Sequence, residues 1–238
     1  MRRFFLGSDG LNLLTLSGDE FNHLKNVLRM NVGDEFIGFN GDNFDYHCKI
    51  TGLSKNSATF EVLEKTENTA NPTISITLIQ ALCKADKLEL ITQKISEIGA
   101  TALIPIYLKN CDVKQNTGKL ARLEKIAISA SKQCKRSTIL NISECITIKE
   151  LLAILKQFDV TLLCNTREDN KNIQEVLGEY NGIRSVGVIV GPEGGFDSSE
   201  IETILKAGAT SISLGKRILR TETAGLFVCS VLSDSLKV

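Results

Sequence analysis

The sequence is poor in histidine, which limits the metal chemistry open to this protein. Only His23 and His47 occur in 238 residues, and the seven cysteines include no CxxC pair. No zinc-ligand spacing is therefore present. An odd number of cysteines without paired spacing is typical of reduced, mostly buried thiols. We expect no metal site.

Long apolar runs are also missing. The apolar stretch near the N-terminus ends at Leu6, too early for the core of a signal peptide. No later run approaches the roughly 18 residues that span a bilayer. The 28 basic and 28 acidic side chains balance, so no overall charge indicates nucleic acid as a partner. These absences predict a cytosolic globular protein in which local patches make any RNA contact.

The first 70 residues differ in pattern from the rest. Turn signals separate short strand-like runs, which show approximate two-residue alternation at 35–39, 44–50 and 58–63. One amphipathic helix is predicted over 20–28. This pattern predicts a small β-barrel or sandwich. A polar linker at 67–72 then divides the chain into domains of 1–70 and 71–238.

The second domain reads as apolar strands that alternate with long helices. Such strands predict an α/β fold with a parallel sheet covered on both faces. Helices are predicted over 86–98, which Gly99 ends, over 119–136, and from a capping box at Asp197 to a stop before Gly208. The predicted strands are 74–79, 102–106, 160–164, 186–190 and 211–214.

A glycine-rich turn follows the strand at 186–190. It reads Gly191-Pro192-Glu193-Gly194-Gly195 and leads into the helix that begins at Asp197. Ligands of parallel sheets bind at such strand ends, and glycines allow close approach to the backbone. Neither GxGxxG nor GxxxxGK[ST] occurs, which favours a ligand without phosphate and disfavours a dinucleotide-dependent oxidoreductase. A tight turn without a ligand is the alternative interpretation.

A second unusual stretch, Leu214 to Ala224, follows the last predicted strand and leads into an amphipathic C-terminal helix. Thr221 or Thr223 could cap that helix through its hydroxyl. The basic residues of the stretch either belong to a functional site or are solvated charges beside a turn. Composition and periodicity alone leave both interpretations open.

Taken together, these two stretches resemble the C-terminal signatures of a known family. Gly191 to Phe196 followed by Glu200-Ile201, with Leu214 to Ala224, is similar to the RsmE group of the SPOUT superfamily, the 16S rRNA (uracil(1498)-N3)-methyltransferases. Upstream, Lys84 to Gly99 and Ser129 to Arg136 resemble further segments of that family. Arg2-Arg3-Phe4 and His23 to Arg29 resemble its N-terminal PUA-like RNA-binding β-barrel. The chain departs from the family at Lys132, usually Glu, and at Lys135 and Ala85, both commonly Gly.

The resemblance implies a C-terminal SPOUT domain with a deep trefoil knot, a homodimer, and S-adenosyl-L-methionine as cofactor, with no metal. Backbone groups of three loops would read the adenine edge, and Leu214 and Leu219 would pack on its faces. The loop at 164–168 matches the family only loosely. The implied cofactor-binding residues are Leu163, Cys164, Asn165, Gly191, Pro192, Glu193, Gly194, Leu214, Gly215, Leu219, Arg220, Thr221, Thr223 and Ala224.

The implied reaction is the attack of uracil N3 on a sulfonium methyl group. Because N3 must first lose a proton, the site needs a base or a cation that stabilises the anion. Arg220 or Arg136 is the predicted cation, and Glu193 or Glu222 is the predicted base. Each glutamate is alternatively a helix cap or an ion-pair partner.

The implied partner is 16S rRNA within the assembled small ribosomal subunit. The basic residues that would contact this RNA are alternatively solvated side chains on the surface, and His23 is alternatively a structural histidine. A SPOUT enzyme that methylates a ribose 2′-hydroxyl and a non-catalytic rRNA-binding module are rival functions. The predicted RNA-binding residues are Arg2, Arg3, His23, Arg29, Lys84, Lys87, Lys132, Lys135 and Arg136.

Overall fold

The computed structural model describes residues 1–113, 120–166 and 171–237. The chain divides into two compact units. The first consists of Met1–Asn71 and Ile128–Ile139, and the second of Pro72–Ala127 and Leu140–Val238. Each unit is thus built from two separate pieces of chain. Nothing in the sequence pattern indicates that residues 128–139 pack with the first unit.

A single curled five-stranded sheet forms the first unit, in the order β1-β3-β4-β5-β2. Phe4, Phe36 and Phe60 pack edge to face in its core. The neighbouring strands run antiparallel except for β1, which lies parallel to β3. The three predicted strands are confirmed and two short ones were missed. The strands are β1 (Arg3–Phe5), β2 (Thr15–Ser17), β3 (Glu35–Phe39), β4 (Phe44–Leu53) and β5 (Ser57–Glu67).

The helix predicted over 20–28 is irregular. A short α-helix, α2 (Gly18–Asn22), continues into a single π-helical turn at His23–Val27. Phe21 and Leu24 are buried in the core, as the spacing predicts, whereas Val27 is 65% exposed. The wider turn therefore rotates Val27 away from the apolar face. A further helix, α1 (Gly7–Leu13), was not predicted.

An ion pair joins the two pieces of chain in the first unit. The Arg3 guanidinium donates to both Asp45 carboxylate oxygens, at 2.8 and 2.7 Å, and to Ser137 Oγ at 2.8 Å. Ser137 and Asn68 also donate to Asp45. Burial raises the pKa of Asp45. These hydrogen bonds, led by the one from Arg3, together lower it by more, so the pKa lies below its ordinary value. Asp45 is therefore held as a carboxylate.

Lys135 ends the helix α4 (Leu120–Cys134) in a left-handed conformation, with φ of 67°. Lysine is strained at this position, where glycine is favoured. Its carbonyl accepts a hydrogen bond from Asn68, which glycine would retain. We expect Lys135→Gly to raise the free energy of unfolding by about 1 kcal/mol, measured by urea denaturation. Lys135→Ala keeps the strain, and an equal gain from it would contradict this explanation.

The second unit is an α/β structure with six parallel strands in the order β11-β9-β10-β6-β7-β8. The central strands β6, β9 and β10 are buried along nearly their whole length. The predicted parallel sheet is thus confirmed, with the two-residue strand β8 in addition. The strands are β6 (Ser75–Ala81), β7 (Ala102–Ile106), β8 (Asn141–Ile142), β9 (Val160–Cys164), β10 (Ser185–Val190) and β11 (Thr210–Ile212).

The predicted helices of this unit are confirmed. The helix α3 (Ala85–Ile98) ends at Gly99, whose φ of 113° is left-handed. The helix α7 (Ser198–Lys206) begins with a capping box between Asp197 and Glu200. The third, predicted over 119–136, is α4, which ends two residues earlier, at Cys134, because Lys135 is left-handed; residue 119 lies outside the described residues. The remaining helices are α5 (Ile148–Ile154), α6 (Ile173–Leu177) and α8 (Thr221–Leu236).

The cysteines carry free thiols, and Cys48, Cys83, Cys164 and Cys229 are buried. Within the described ranges, no helix has the length and apolar character needed to cross a membrane.

Candidate functional site

A cavity of about 600 Å³ opens where β9, β10 and β11 end. Three segments line it: Cys164–Thr166 after β9, the residues from Val190 to Phe196 after β10, and the residues from Ser213 to Thr221 between β11 and α8. All three follow the carboxyl ends of parallel strands, where ligands of such sheets bind. The volume lies within the range of small-molecule sites, roughly 300–1,000 Å³.

Most residues predicted to bind a cofactor line this cavity, but two do not. Leu163 is fully buried in the core of the second unit, and Thr223 is exposed on α8. Arg167 and Glu168, at the end of the loosely matched loop, lie outside the described residues. The predicted residues that line the cavity are Cys164, Asn165, Gly191, Pro192, Glu193, Gly194, Leu214, Gly215, Leu219, Arg220, Thr221 and Ala224.

The glycine-rich turn after β10 requires its glycines for different reasons. Gly195 has a φ of 72°, in the left-handed region that glycine tolerates. A Cβ atom on Gly191 would lie 2.8 Å from the Phe196 ring, and one on Gly194 would lie 3.0 Å from Asn110 Cβ. The turn is thus packed closely on both flanks.

Asn110, which sequence reasoning missed, holds the turn from one side. Its amide donates to the carbonyls of Gly194 and Gly195, at 3.4 and 3.1 Å. The neighbouring Lys109 donates from its backbone to Glu200 and from its ammonium group to Asp197, each at 2.9 Å. The loop after β7 therefore supports the glycine-rich turn. The position of this loop, directly after a predicted parallel strand, is the sequence signal that could have identified Asn110.

The predicted capping role of Thr221 is wrong. Arg220 is the N-cap residue of α8, and no side-chain hydrogen bond caps the helix. The Thr221 hydroxyl instead donates to the Gly191 carbonyl at 2.6 Å and accepts a hydrogen bond from Gln80 Nε2 at 2.8 Å. Thr221 therefore connects α8 to the glycine-rich turn.

Lys87, for which RNA contact is predicted, lies at the cavity wall between two carboxylates. Its ammonium group is 2.8 Å from Glu193 and 3.3 Å from Glu222. The Glu193 hydrogen bond raises the pKa of Lys87. Partial burial is the largest single influence and raises the pKa of Glu193, but the hydrogen bond from Lys87, a backbone hydrogen bond and the charges of Lys87 and Lys84 together lower it by more, so it lies below its ordinary value. Both glutamates are thus ion-pair partners of one lysine.

The segment between β11 and α8 presents exposed cations to the cavity. Lys216, Arg217 and Arg220 are exposed, and Ile218 between them is 87% exposed. Among the described residues, no carboxylate or carbonyl pairs with the Arg220 guanidinium, which lines the cavity. This group is available to bind an anion or a polar oxygen of a ligand. Within the same described ranges, no cluster of three His, Cys, Asp or Glu side chains could hold a metal ion.

Comparison with known proteins places the chain in a family. The model of an RNA methyltransferase domain matches residues 69–233, and that of an RNA methyltransferase PUA domain matches residues 16–63. Ribosomal RNA small subunit methyltransferase E of Bacillus subtilis is 32% identical, over 92% of this chain and 89% of that protein. The chain belongs to the ribosomal RNA small subunit methyltransferase E family.

Further members of the methyltransferase E family are similar to this chain over nearly its whole length. The protein of that name from Mesomycoplasma hyopneumoniae is 36% identical, over 96% of this chain and 97% of its own. The crystal structure of the methyltransferase E from Neisseria gonorrhoeae, bound to S-adenosyl methionine, superimposes with a TM-score of 0.86 at 29% identity. It covers 99% of this chain and 98% of that one.

The basic residues predicted for RNA contact differ in their surroundings. Arg2, His23, Arg29, Lys84 and Lys135 are exposed. Arg3 is paired with Asp45, as described above. Lys132 lies 2.7 Å from Glu20 within the first unit.

Arg136 is the most enclosed of the predicted basic residues. It is 2% exposed and donates to Thr138 Oγ1. Burial lowers the pKa of its guanidinium. In this member of the family, the residues at 3, 132 and 136 are thus held by partners inside their own unit.

Proposed function

We propose that this protein transfers a methyl group from S-adenosyl-L-methionine to N3 of uracil-1498 in 16S rRNA. The observation that carries the proposal is the cavity at the ends of β9, β10 and β11, lined mainly by the two stretches that resemble the family signatures. Family membership supports the substrate class, because the relatives are named ribosomal RNA small subunit methyltransferases.

The residues of the cavity suit an adenosine-like ligand without phosphate. Backbone amide and carbonyl groups of the turn at 191–195 and of Gly215 supply hydrogen bonds, and half-buried Leu214 and Leu219 supply apolar contact. Such a combination of an apolar lining with a few fixed polar groups is usual for cofactor sites. When bound, S-adenosyl-L-methionine supplies an electrophilic methyl group on sulfur. We assign its binding to these three segments.

We assign Arg220 to the stabilisation of the substrate anion. Uracil N3 must give its proton to solvent before it can act as a nucleophile. A guanidinium beside a uracil oxygen stabilises the resulting anion and so raises the deprotonated fraction at neutral pH. Arg220 is the better candidate because it is exposed at the cavity and has no partner among the described residues, whereas Arg136 is 2% exposed.

The two glutamates predicted as bases are both paired with Lys87. Glu193 is hydrogen-bonded to Lys87 and its pKa is lowered, and a carboxylate with a low pKa is a weak base. Glu222 shares the same lysine. We therefore assign Glu193 and Glu222 to the ion pairs that hold Lys87 at the cavity wall.

RNA binding is proposed for the first unit together with the start of α3. Arg2, His23 and Arg29 are exposed on the first unit, and Lys84 is exposed on the second. Cationic side chains hold phosphates and fix register, while the shape of the folded RNA selects the site. We propose that Arg3 and Lys132 act structurally, through Asp45 and Glu20.

Several finer features of the family are also part of this proposal. They are a SPOUT-type trefoil knot among β9, β10, β11 and α8, a homodimer, and action on the assembled small subunit in the cytoplasm. The strand order β11-β9-β10 supports the knot, because the last strand, β11, pairs with β9 and not with β10, which precedes it in the chain. A PUA-family match over residues 16–63 supports the RNA contact.

The test is methyl transfer from radiolabelled S-adenosyl-L-methionine to small ribosomal subunits that lack this modification. The digested nucleosides are identified by mass spectrometry, and already modified subunits are the matched control. Label in 3-methyluridine, only on the unmodified subunits, is the expected result. Label in a 2′-O-methylated nucleoside would instead indicate the ribose-methylating rival. Binding of the subunit without cofactor affinity or transfer would indicate a non-catalytic module.

A further inference from the structure

Gln80 is a buried amide that the cofactor-binding residues named so far do not include. It is the sixth residue of β6 and pairs in register with Val190, the residue directly before Gly191. Its exposed fraction is 0%. Gln80 Nε2 donates to Thr221 Oγ1 at 2.8 Å, and the Thr221 hydroxyl donates to the Gly191 carbonyl at 2.6 Å. A chain of two hydrogen bonds thus leads from the sheet to the glycine-rich turn.

The peptide group between Gly191 and Pro192 has an unusual need for such a support. Proline has no N–H, so the carbonyl of Gly191 is the one polar group through which this peptide plane can be held. Glycine adds no side chain that could restrict it. Thr221 supplies the hydrogen bond to that carbonyl. The orientation of the plane at the cavity wall therefore depends on the direction of one hydroxyl proton.

Gln80 determines that direction. A hydroxyl has one proton, and since Thr221 Oγ1 accepts from the Gln80 amide, its own proton is directed to Gly191. The other Gln80 amide atom, Oε1, is buried without a hydrogen-bond partner. A buried unpaired oxygen is costly, but the reversed amide would place that oxygen against the Ala81 carbonyl, to which Nε2 also donates at 3.3 Å. The structure therefore retains the costly orientation in which the N–H supports Thr221.

The sequence of α8 also makes room for Gln80. A Cβ atom on Gly225 would lie 3.0 Å from Gln80 Oε1 and 3.2 Å from a Leu78 methyl group. Glycine at this position lets α8 approach β6 closely enough for Thr221 to reach both partners.

We propose that Gln80 is a positioning residue for the cofactor pocket, which orients the Gly191 carbonyl through the Thr221 hydroxyl. The inference rests on the proposed binding of S-adenosyl-L-methionine. By fixing the peptide plane before the ligand enters, the two side chains remove an ordering cost from binding. The predicted consequence is a cofactor affinity that depends on both side chains jointly.

The experiment measures the Kd of S-adenosyl-L-methionine by isothermal titration calorimetry, with thermal unfolding of each variant. Gln80→Met and Thr221→Val each remove one donor at similar volume. Each is expected to raise Kd about 5- to 10-fold, as the loss of one hydrogen bond does. Thr221→Ser retains the hydroxyl and is expected to stay within about twofold of wild type. The double variant is expected to resemble either single variant, because both interrupt one chain of bonds.

Thr92→Val is the matched control. It removes a buried hydroxyl that donates to the Leu88 carbonyl at 2.8 Å within α3 of the same unit, and it should lower stability without changing Kd. If Thr221→Val does not fold, Thr221→Ala takes its place.

Four outcomes would overturn the proposal. They are a Kd within twofold of wild type in folded Thr221→Val, the same in Gln80→Met, a double variant whose effect is the product of the single effects, and an equal loss of affinity in Thr92→Val. Failure of the proposed function itself is distinguishable, since wild-type protein would then bind no cofactor.

Discussion

Arg220→Ala is expected to lower the turnover of methyl transfer about 100-fold at pH 7 with saturating RNA, as removal of one charge-stabilising donor does in other enzymes. Its guanidinium lines the cavity without a partner among the described residues, and in the role proposed for it, its removal leaves the uracil anion unstabilised. The deficit is expected to shrink as pH rises, because bulk solvent then ionises N3 without help. Single-turnover rates between pH 6 and 10 measure both effects.

Two further variants separate catalysis from general charge. Arg220→Lys keeps the positive charge but not the planar pair of donors, and it should recover part of the rate. Arg184→Ala removes an exposed arginine directly before β10, at the opposite end of that strand from the cavity, and should act as wild type. Turnover in Arg220→Ala near that of wild type, with normal folding, would remove Arg220 from the mechanism.

Arg3→Met is expected to lower the free energy of unfolding by about 3 kcal/mol, near the lower end for breaking a buried ion pair. The Arg3 and Asp45 side chains are 9% and 19% exposed, so the variant leaves a largely enclosed carboxylate without its cation. The hydrogen bonds to Ser137 Oγ and to the Arg136 carbonyl are lost as well. Denaturation in urea measures the change.

The pH dependence of this effect follows from Asp45. In the wild-type fold its pKa is lowered below 3.8, so its stabilisation is present above that pH and is lost as pH falls through the folded value. In Arg3→Met, burial is left with fewer opposing contacts and raises the pKa of Asp45. The free energy of unfolding of the variant is then lowered above pH 3.8. Its difference from the wild-type value should shrink at lower pH.

Matched variants test the ion-pair explanation. Arg2→Met changes the adjacent, exposed arginine and should alter the free energy of unfolding by less than about 0.5 kcal/mol. Arg3→Met combined with Asp45→Asn removes both charges and should be more stable than Arg3→Met alone. A double variant as unstable as the single would show that the loss comes from packing of the arginine stem.

Strongly patterned elements could be predicted from the sequence, and so could the cavity. Three strands have the predicted ends, because turn residues bound their apolar runs on both sides. They are Glu35–Phe39, Ala102–Ile106 and Val160–Cys164. Gly99 and Asp197 end and begin their helices as their cap chemistry requires. The two glycine-containing stretches lie together because parallel strands end at one edge of a sheet.

Side-chain partners could not be predicted in the same way. Lys87 and Glu193 are 106 residues apart, and Arg3 and Ser137 are 134 apart. No periodicity encodes such pairs, so exposed cations could not be told from paired ones. The hydroxyl of Thr221 illustrates the same limit. Its position before a helix indicates a cap, but the distant Gln80 and Gly191 compete successfully for it.

The division of each unit into two pieces of chain bears on how the protein is made. A growing chain that ends at residue 71 has the curled sheet but not Ser137, which binds both Arg3 and Asp45. Synthesis must pass β6, α3, β7 and α4 before residue 139 completes the first unit. The unit that begins first is therefore completed only after the first piece of the other, Pro72–Ala127, has been synthesised. The hydrogen bonds that join Arg3 and Asp45 to Ser137 must form late, after residues 72–136 have been made.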